Sequence, residues 1–528
     1  MKVLISDNLA PIGEKILKEA GLEVDVNTGL PPEELKAIIS DYDGLVIRSA
    51  TKVRPDIIEA ATKLKVVGRA GIGLDNVDIP AASQKGIVVM NAPDGNATTA
   101  AEHAISMMMS LARNIPQATM SMKAGKWEKK SFMGREVTGK TVGIVGIGRI
   151  GSIFASRAQG LKMKVIAFDP HMPQELIEKI GVERVSLEEL AKRSDFISVH
   201  VPLTKETHHL LSTEFYANMK NDAMFIDCAR GGVCDEEALY TALKEGQIAG
   251  AALDVFENEP TTIEKTPLLG LKNFICTPHL GASTSEAQEN VASVIAEQMA
   301  DYLLRGSVRN AVNVPSVSDE VIAKVGPYIT LGEMLGSLHM QIAKGGVEEV
   351  SLEFSGDLAD TDTGPVTVAF LKGLFTPILK DAVNFVNAPL IAKERGIKLI
   401  ESKTQQTSDF TNLLTVRVKT GEGENVLAGT VFGKKEPRLV RLNSFRLEAL
   451  PTGPMLLVNN KDVPGVIGAL GTALGLEGVN ISRMTVGIEE TSKQNVILLN
   501  TDVMLTKDQL QKVRELSNIE DAMVLELP

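Results

Sequence analysis

Short apolar runs alternate with segments of helical periodicity along roughly the first 300 residues of the chain. The runs that end in polar, small or turn residues cover 2–6, 44–49, 65–70, 86–93, 164–170, 196–203, 223–232, 248–256 and 274–283. Buried apolar runs that are separated by helices are typical of parallel strands in α/β units. The pattern therefore predicts parallel sheets, whose ligands bind at the carboxyl ends of the strands.

The pattern changes after a linker at 308–320, which contains Pro315. Before this linker, residues 285–305 have the periodicity of one long helix. After it, further helices are followed by three runs that alternate more like antiparallel strands, the last of them around a GEGEN turn. These three runs are 347–358, 366–375 and 412–433.

The last 75 or so residues form a separate pattern of strand, helix, two strands, helix and strand. Pro464 opens the first of these helices and Gly478 closes it, in keeping with the residue preferences of helix ends. The order βαββαβ predicts a ferredoxin-like unit at the end of the chain.

Composition excludes several classes of function. The formal net charge of −12 argues against nonspecific binding to nucleic acid, which needs a basic surface. Three cysteines, without a CxxC or HExxH motif, predict neither a disulfide framework nor a metal site. The N-terminus lacks a signal-peptide pattern, and no apolar window approaches the roughly 20 residues of a membrane span. We therefore expect a cytoplasmic protein that contacts neither nucleic acid nor membrane.

The segment GIGRIG, residues 146–151, lies between an apolar strand and a helical segment. In a dinucleotide-binding turn, Gly146 makes the tight turn, Gly148 lets a pyrophosphate approach backbone N–H groups, and Gly151 lets the helix pack on the strand. The next apolar run ends in Asp169, which can accept a hydrogen bond from a ribose 2′-hydroxyl and repels a 2′-phosphate. A glycine-rich turn can serve packing alone, but strand, helix and acid together favour NAD as the cofactor.

Three polar residues follow later strands at the same edge of the predicted sheet, namely Arg230, Glu259 and His279. Arginine offers a planar fork suited to a carboxylate, and neutral histidine can accept a proton near neutral pH. A neighbouring carboxylate strengthens histidine as a base. Each residue alone could be an ordinary surface or turn residue. Together, after three strands of one dinucleotide unit, they predict hydride transfer from a hydroxy acid.

These segments resemble the D-isomer-specific 2-hydroxyacid dehydrogenase family through GIGRIG with Asp169, CARGG, ALDVFENEP and TPHLGAST. The resemblance implies that Arg230 binds the substrate carboxylate and carbonyl, that His279 is the acid and base, and that Glu259 pairs with it. It also implies a Rossmann-type NAD-binding domain inserted in a flavodoxin-like substrate domain. The further cofactor contacts that it implies are Arg149, Ile150, Cys228, Asp254 and Gly281.

Four other segments are VIRSATKV (46–53), GRAGIGLDNVD (68–78), NAPDGNATTAAEHA (91–104) and GKWEKKSFMG (125–134). They resemble the long-form phosphoglycerate dehydrogenase branch of this family, and the resemblance covers nearly the whole chain. This resemblance implies 3-phospho-D-glycerate as the substrate, a product that feeds serine synthesis, and an α+β intervening domain before an ACT domain. The expected domain bounds are 1–97 with 284–310 for the substrate domain, 98–283 for the NAD domain, 316–447 for the intervening domain and 453–528 for the ACT domain.

A phosphorylated substrate needs cations beyond Arg230. Arg48 and Arg69 follow apolar strands of the first domain and face the predicted cleft, so we expect them to help bind the phosphate. Each could instead be a surface arginine, since charged side chains are mostly exposed. Ser49 and Gly71, beside them in the chain, are expected at the substrate as well.

The ACT resemblance implies a site for L-serine at a subunit interface, formed by Asn460, Asp462 and Asn480. Asp462 could bind the ammonium group of serine, or serine sensing could be lost and the domain could only assemble subunits. The family also implies a homodimer or homotetramer. Lys129 and Lys130 lie in a family segment that is involved in subunit contact.

Two alternative functions stay open. A glyoxylate or hydroxypyruvate reductase would have the same three polar residues and no phosphate site, but the extra C-terminal domains and the two N-terminal arginines count against it. A dehydrogenase-fold binding protein that senses NAD belongs to a different class. The acidic charge and the ACT-like end of the chain count against this second alternative.

Overall fold

The computed structural model describes residues 1–93, 95–315, 319–407, 409–433, 435–489 and 493–528. The start of the predicted intervening domain, at residue 316, lies outside these residues. The strands form three sheets, of five, seven and ten strands. Within the described ranges, no helix is long and apolar enough to cross a membrane.

The first sheet is parallel and has the strand order β2-β1-β3-β4-β5, which is the flavodoxin-like order. Its strands are β1 (Lys2–Ile5), β2 (Glu23–Val26), β3 (Gly44–Ile47), β4 (Val66–Arg69) and β5 (Val88–Asn91). The helices between them are α1 (Pro11–Glu19), α2 (Pro32–Ile38), α3 (Pro55–Ala60) and α4 (Ile79–Gln84). All four helices have a proline in the first turn. The N–H groups of the first turn make no hydrogen bond within a helix, so proline, which lacks an N–H, costs no bond there.

The second sheet is also parallel, with the order β12-β11-β10-β9-β6-β7-β8. Its strands are β6 (Thr141–Val145), β7 (Lys164–Phe168), β8 (Glu183–Arg184), β9 (Phe196–Val199), β10 (Met224–Asp227), β11 (Gly250–Leu253) and β12 (Phe274–Cys276). Its helices are α5 (Ala97–Ala112), α6 (Ile115–Lys123), α7 (Arg149–Gly160), α8 (Gln174–Lys179), α9 (Leu187–Arg193), α10 (Thr213–Ala217) and α11 (Glu236–Lys244). The strand order reverses beside β6, which is the Rossmann arrangement and the place where such sheets bind ligands.

The chain then returns to the first sheet through α12 (Ser285–Arg305), which coincides with the predicted long helix. Val291, Ile295 and Met299 of this helix join the core formed with Val3 and Val66 of the sheet. The apolar face of α12 therefore closes the first unit after the second has been completed.

The third sheet follows α13 (Asp319–Ile342), with α14 (Gly364–Leu379) and α15 (Ala388–Glu394) against it. Its first six strands are β13 (Val347–Gly356), β14 (Lys398–Thr404), β15 (Asn412–Thr420), β16 (Gly423–Phe432), β17 (Glu436–Leu442) and β18 (Phe445–Ala449). The antiparallel strands predicted over 347–358 and 412–433 are present, the second as the hairpin of β15 and β16.

The strand predicted over 366–375 is wrong, because this segment lies within α14. Nearly every residue of the segment is buried, in a core that α14 shares with α13 and the sheet. A short run that is apolar on all sides has neither the period of a strand nor that of an amphipathic helix, so the pattern cannot separate the two.

The last part of the chain has the predicted order of elements. They are β19 (Gly453–Lys461), α16 (Val466–Leu476), β20 (Ile481–Ile488), β21 (Gln494–Thr501), α17 (Lys507–Arg514) and β22 (Ile519–Leu527). The helix opens at Val466, after Gly465 in the left-handed region (φ +96°), rather than at Pro464 as predicted. The strands lie in the order β20-β21-β19-β22, and β18 pairs with β20, so that they continue the third sheet. The predicted α/β fold class is therefore confirmed.

Candidate active site

The glycine-rich turn joins β6 to α7 at the switch point of the second sheet. Gly146 has φ +91°, and a Cβ on Gly151 would lie 2.1 Å from the carbonyl oxygen of Gly146. A Cβ on Gly148, in contrast, would meet nothing within 4 Å. The first and third glycines are thus needed for packing, while the second leaves open space beside the backbone. This arrangement fits a pyrophosphate at the N-terminus of α7, where Arg149 and Ile150 begin the helix.

Asp169 follows β7 and fixes the same turn. One carboxylate oxygen accepts the N–H of Ile147 at 3.0 Å, and the other accepts those of His171 and Met172 at 2.9 and 3.0 Å. A carboxylate can accept about four hydrogen bonds, so capacity remains for a ribose hydroxyl. The residues at this turn therefore fit NAD, and the negative charge disfavours the 2′-phosphate of NADP.

His279 and Glu259 form a hydrogen-bonded pair, with 2.8 Å between Nδ1 of the histidine and Oε2 of the carboxylate. The other oxygen of Glu259 accepts the N–H of Phe256 at 3.0 Å. The bond to Glu259 raises the pKa of His279, although partial burial and the positive charge of Arg230 oppose the increase. Partial burial raises the pKa of Glu259, but the bonds from His279 and Phe256 outweigh it and leave that pKa below its usual value.

Arg230 lies in the loop after β10 and reaches the first unit. Its Nε donates to Oδ2 of Asp75 at 3.2 Å, and its Nη1 donates to the carbonyl of Ala229 at 2.6 Å. A Cβ on Gly73 would lie 2.0 Å from Nη2, so only glycine permits this approach. Sequence reasoning assigned no role to Asp75 or Gly73, although both lie inside the segment GRAGIGLDNVD at 68–78.

Arg69 and Arg48 lie close to Arg230. Nε of Arg69 donates to the carbonyl of Arg48 at 3.3 Å. Burial and the positive charges of Arg230 and Arg48 lower the pKa of Arg69 to about 10. Arg69 therefore remains protonated at neutral pH, and three neighbouring guanidinium groups favour a ligand with several negative charges. Gly71 lies beside the guanidinium of Arg69, since a Cβ added to Gly71 would be 3.6 Å from Nη1. Ser49 follows Arg48 in the chain and is exposed.

Known proteins match this chain from end to end. Residues 105–281 match the family model described as D-isomer specific 2-hydroxyacid dehydrogenase, NAD binding domain, and residues 324–443 match that of the D-3-phosphoglycerate dehydrogenase intervening domain. A D-3-phosphoglycerate dehydrogenase from Methanocaldococcus jannaschii is 45% identical over 528 residues, which cover 100% of both chains. Another from Synechocystis sp. is 44% identical and covers 100% of this chain and 95% of its own. This chain belongs to the D-3-phosphoglycerate dehydrogenase family.

A solved structure with a different name matches a smaller part of the chain. The glyoxylate reductase from Paecilomyes thermophila is 27% identical with a TM-score of 0.55, and the match covers 59% of this chain and 98% of that one. The D-3-phosphoglycerate dehydrogenases, in contrast, match over the whole length. The predicted family and the prediction of NAD as cofactor are confirmed, and the chain is an NAD-dependent dehydrogenase.

Asp254, which was predicted to contact the cofactor, is buried and holds the loop that carries His279 in this dehydrogenase. Its carboxylate accepts the N–H groups of Leu280 and Gly281, each at 2.7 Å, and the hydroxyl of Thr277. His103 of α5 lies 3.2 Å from the same carboxylate. Sequence reasoning set His103 aside, because it lies outside the family motifs and no local pattern links it to residue 254.

Cys228 lies at the first position of the CARGG loop and is half-buried. Burial, together with the negative charges of Asp254 and Asp227, raises the pKa of its thiol well above the usual value. Since the thiolate is the reactive form of cysteine, this side chain is suited to packing beside a cofactor rather than to nucleophilic chemistry.

Of the three predicted effector residues, Asn460 and Asp462 precede α16, whereas Asn480 follows its C-terminal end. Asn460 pairs with Asn495 of β21 and Ile481, next to Asn480, pairs with Thr501 at the other end of that strand, so one chain does not bring all three residues together. Asn460 is 3% exposed, and its Nδ2 donates to the carbonyl of Lys461 at 2.8 Å. Within the described part of the chain its Oδ1 has no hydrogen-bond partner. Asp462 and Asn480 are exposed, and the N–H of Asn480 donates to Asp502 at 3.0 Å.

Proposed function

We propose that this protein oxidises 3-phospho-D-glycerate to 3-phosphohydroxypyruvate with NAD. The observation that carries the proposal is the position of the His279–Glu259 pair at the switch edge of a Rossmann sheet, with Arg230 on the same unit and with Arg48 and Arg69 on the unit across the cleft. The product supplies serine synthesis, and we place this step in the cytoplasm. Family membership over the whole chain supports the same substrate.

In this mechanism the terminal N–H groups of Arg230 bind the carboxylate of the substrate as a fork. Arg48 and Arg69 bind the phosphate, and Ser49 and Gly71 lie at the same end of the cleft. The triply charged character of the arginine group matches an anion that carries both a carboxylate and a phosphate. An unphosphorylated 2-hydroxy acid would leave the half-buried Arg69 without a phosphate partner.

His279 acts as the general base. Because Glu259 occupies Nδ1, Nε2 is the nitrogen that accepts the proton of the C2 hydroxyl. The carboxylate of Glu259 stabilises the resulting imidazolium and fixes the orientation of the ring. When bound at Gly146–Gly151 and Asp169, NAD supplies the hydride acceptor for the reaction. Asp254 and His103 act indirectly on the reaction, since they hold the loop that carries His279.

A direct test follows NADH formation at 340 nm with NAD and 3-phospho-D-glycerate, for the wild type and a His279→Ala variant. We expect turnover by the wild type and a loss of at least about 100-fold in the variant. Thermal unfolding of both proteins shows that the fold is kept. A variant with full turnover, or a wild type inactive on this substrate while it oxidises NADH with other keto acids, would reject the proposal.

We infer further that the protein assembles as a dimer or tetramer. Trp127 and Met133 are 81% and 85% exposed, and Ile115, Met120 and Met122 lie on the same part of the NAD domain with at least half of their surface exposed. Such a group of apolar side chains favours burial against a second copy of the chain. Light scattering that gave a monomer at micromolar concentration would contradict this.

Lys129 and Lys130 belong to the same segment and are exposed. We propose that they reach the site of a neighbouring subunit. A variant with Lys129→Ala and Lys130→Ala should then raise the KM for the phosphorylated substrate and leave that for hydroxypyruvate unaltered. An unchanged KM for both substrates would leave these lysines with an assembly role only.

L-serine is proposed as an effector that binds at a subunit interface formed by Asn460, Asp462 and Asn480. Support comes from the buried Oδ1 of Asn460, which lacks a partner among the described residues, beside the exposed carboxylate of Asp462. The carboxylate suits the ammonium group of an amino acid. Serine at millimolar concentration should inhibit the wild type but not an Asp462→Ala variant. Absence of inhibition in the wild type would reject serine as an effector and leave this domain with a role in assembly alone.

A further inference from the structure

The guanidinium of Arg230 is held by residues of the other unit of the active-site cleft. Arg230 follows β10 of the second sheet, whereas Asp75 and Gly73 follow β4 of the first. The carboxylate of Asp75 contacts Nε of Arg230 at 3.2 Å, and the backbone of Gly73 packs against Nη2. One side chain of the first unit therefore fixes a side chain of the second.

The atoms involved determine which face of the guanidinium remains for a ligand. The Asp75 contact uses Nε, and one hydrogen of Nη1 is used by the carbonyl of Ala229. Because Nη1 carries a second hydrogen and Nη2 carries two, the end of the guanidinium formed by these two atoms can offer a pair of parallel N–H groups. That is the geometry that binds a carboxylate with two hydrogen bonds.

We propose that Asp75 is a positioning residue that fixes Arg230 through its Nε–H, so that the Nη1–Nη2 edge meets the carboxylate of the substrate. This inference rests on the proposed role of Arg230 in substrate binding. It adds a residue that touches neither substrate nor cofactor and acts through the arginine.

Electrostatics and positioning make opposite predictions for Asp75, which allows them to be separated. The negative charge of Asp75 acts on the arginine group, since it raises the pKa of Arg69 against the effect of burial. Removing that charge should by itself strengthen the binding of an anionic substrate. Loss of positioning, in contrast, should slow turnover, because a small displacement of a group that orients the substrate is costly.

The experiment compares Asp75→Ala and Asp75→Asn with the wild type, using NADH and 3-phosphohydroxypyruvate. Asn has the shape of Asp, and its side-chain oxygen can still accept the Nε–H bond. The matched control is Asp56→Asn, which alters an exposed carboxylate of the same unit that lies 3.6 Å from Lys36. Thermal unfolding and NADH fluorescence on binding report on the fold and on the cofactor site.

We expect Asp75→Ala to lower kcat at least about tenfold, while the KM for the keto acid stays the same or falls. Asp75→Asn should retain a larger share of the turnover, and the control should match the wild type. A kcat for Asp75→Ala within twofold of the wild type, or a loss confined to a higher KM, would overturn the inference. If Asp75→Ala fails to fold, Asp75→Leu, which keeps the size of the side chain but cannot accept the Nε–H bond, decides by the same criteria.

An Arg230→Ala variant separates failure of this inference from failure of the proposed function. If Arg230→Ala keeps its turnover, the proposed role of Arg230 is wrong, and Asp75 loses its function with it. If Arg230→Ala is inactive and both Asp75 variants are fully active, only the positioning role of Asp75 is rejected.

Discussion

Replacing Arg69 by Ala should weaken the reaction of phosphorylated substrates selectively. Arg69 is half-buried, and this burial is the main reason why its pKa lies at about 10. Hydrogen bonds to charged groups contribute about 1.5–3 kcal/mol, which corresponds to roughly a 10- to 150-fold change. We expect kcat/KM for 3-phosphohydroxypyruvate to fall by this factor and that for hydroxypyruvate to change little.

The assay is NADH oxidation at 340 nm with both keto acids, for Arg69→Ala, Arg69→Lys and the wild type. Lysine keeps the charge but lacks the planar fork, so it should give an intermediate loss. Arg54→Ala, which changes an exposed arginine of the same unit, is the control. Equal losses with both keto acids would refute the assignment of Arg69 to the phosphate, since an effect on the fold or on NAD does not distinguish the two substrates.

Three further predictions follow from the site. Glu259→Gln removes the charge that raises the pKa of His279. The acid limb of the pH profile for oxidation should therefore move to lower pH, and kcat should fall at least about tenfold. An unchanged pH profile would contradict the pairing of Glu259 with His279. Asp169→Ala should lower the ratio of kcat/KM for NAD over that for NADP, because the repulsion of a 2′-phosphate is lost, and an unaltered ratio would place specificity elsewhere. Burial raises the pKa of Asp227 from 3.8 to about 7, so the folded state loses stability as pH rises from about 4 to 7. Asp227→Asn, which keeps the bond to the N–H of Ala229, should therefore gain on the order of 4 kcal/mol over the wild type at pH 8 and little at pH 4. Urea unfolding at the two pH values measures this gain, and an equal difference at both would contradict it.

The dinucleotide turn could be predicted because its causes are local. Each glycine of GIGRIG has its reason within the strand, the turn and the helix that contain it, and Asp169 bonds directly to the N–H of Ile147. Arg230, Glu259 and His279 could be found for a related reason. They follow parallel strands of one sheet, and the carboxyl ends of those strands share one edge.

The contacts of Asp75 and His103 could not be predicted in this way. Asp75 and Arg230 are 155 positions apart, and they meet because two separately folded units face each other across the cleft. His103 reaches Asp254 from α5, a helix that packs against β10 and β11 about 150 positions earlier in the chain than Asp254. Neither contact leaves a periodicity or a spacing in the sequence.

The helix α14 shows a limit of a different kind. Apart from Thr367 and Lys372, its segment 366–375 is apolar, and α13 and the sheet both cover it, so the usual difference between a strand and an amphipathic helix is absent. Packing against α13 and the sheet, rather than the local sequence pattern, determined that this segment is a helix. The same explanation does not apply to α12, whose polar residues preserve a helical period over its whole length.

The measurement that tests the central claim most directly is the substrate preference of the purified wild type. NADH consumption is followed with 3-phosphohydroxypyruvate, hydroxypyruvate and glyoxylate, and kcat/KM is compared. We predict a preference of at least about tenfold for the phosphorylated keto acid, because Arg48 and Arg69 then bind an additional anion. Equal or higher values with hydroxypyruvate or glyoxylate would contradict the account and identify a general 2-keto acid reductase built on the same fold.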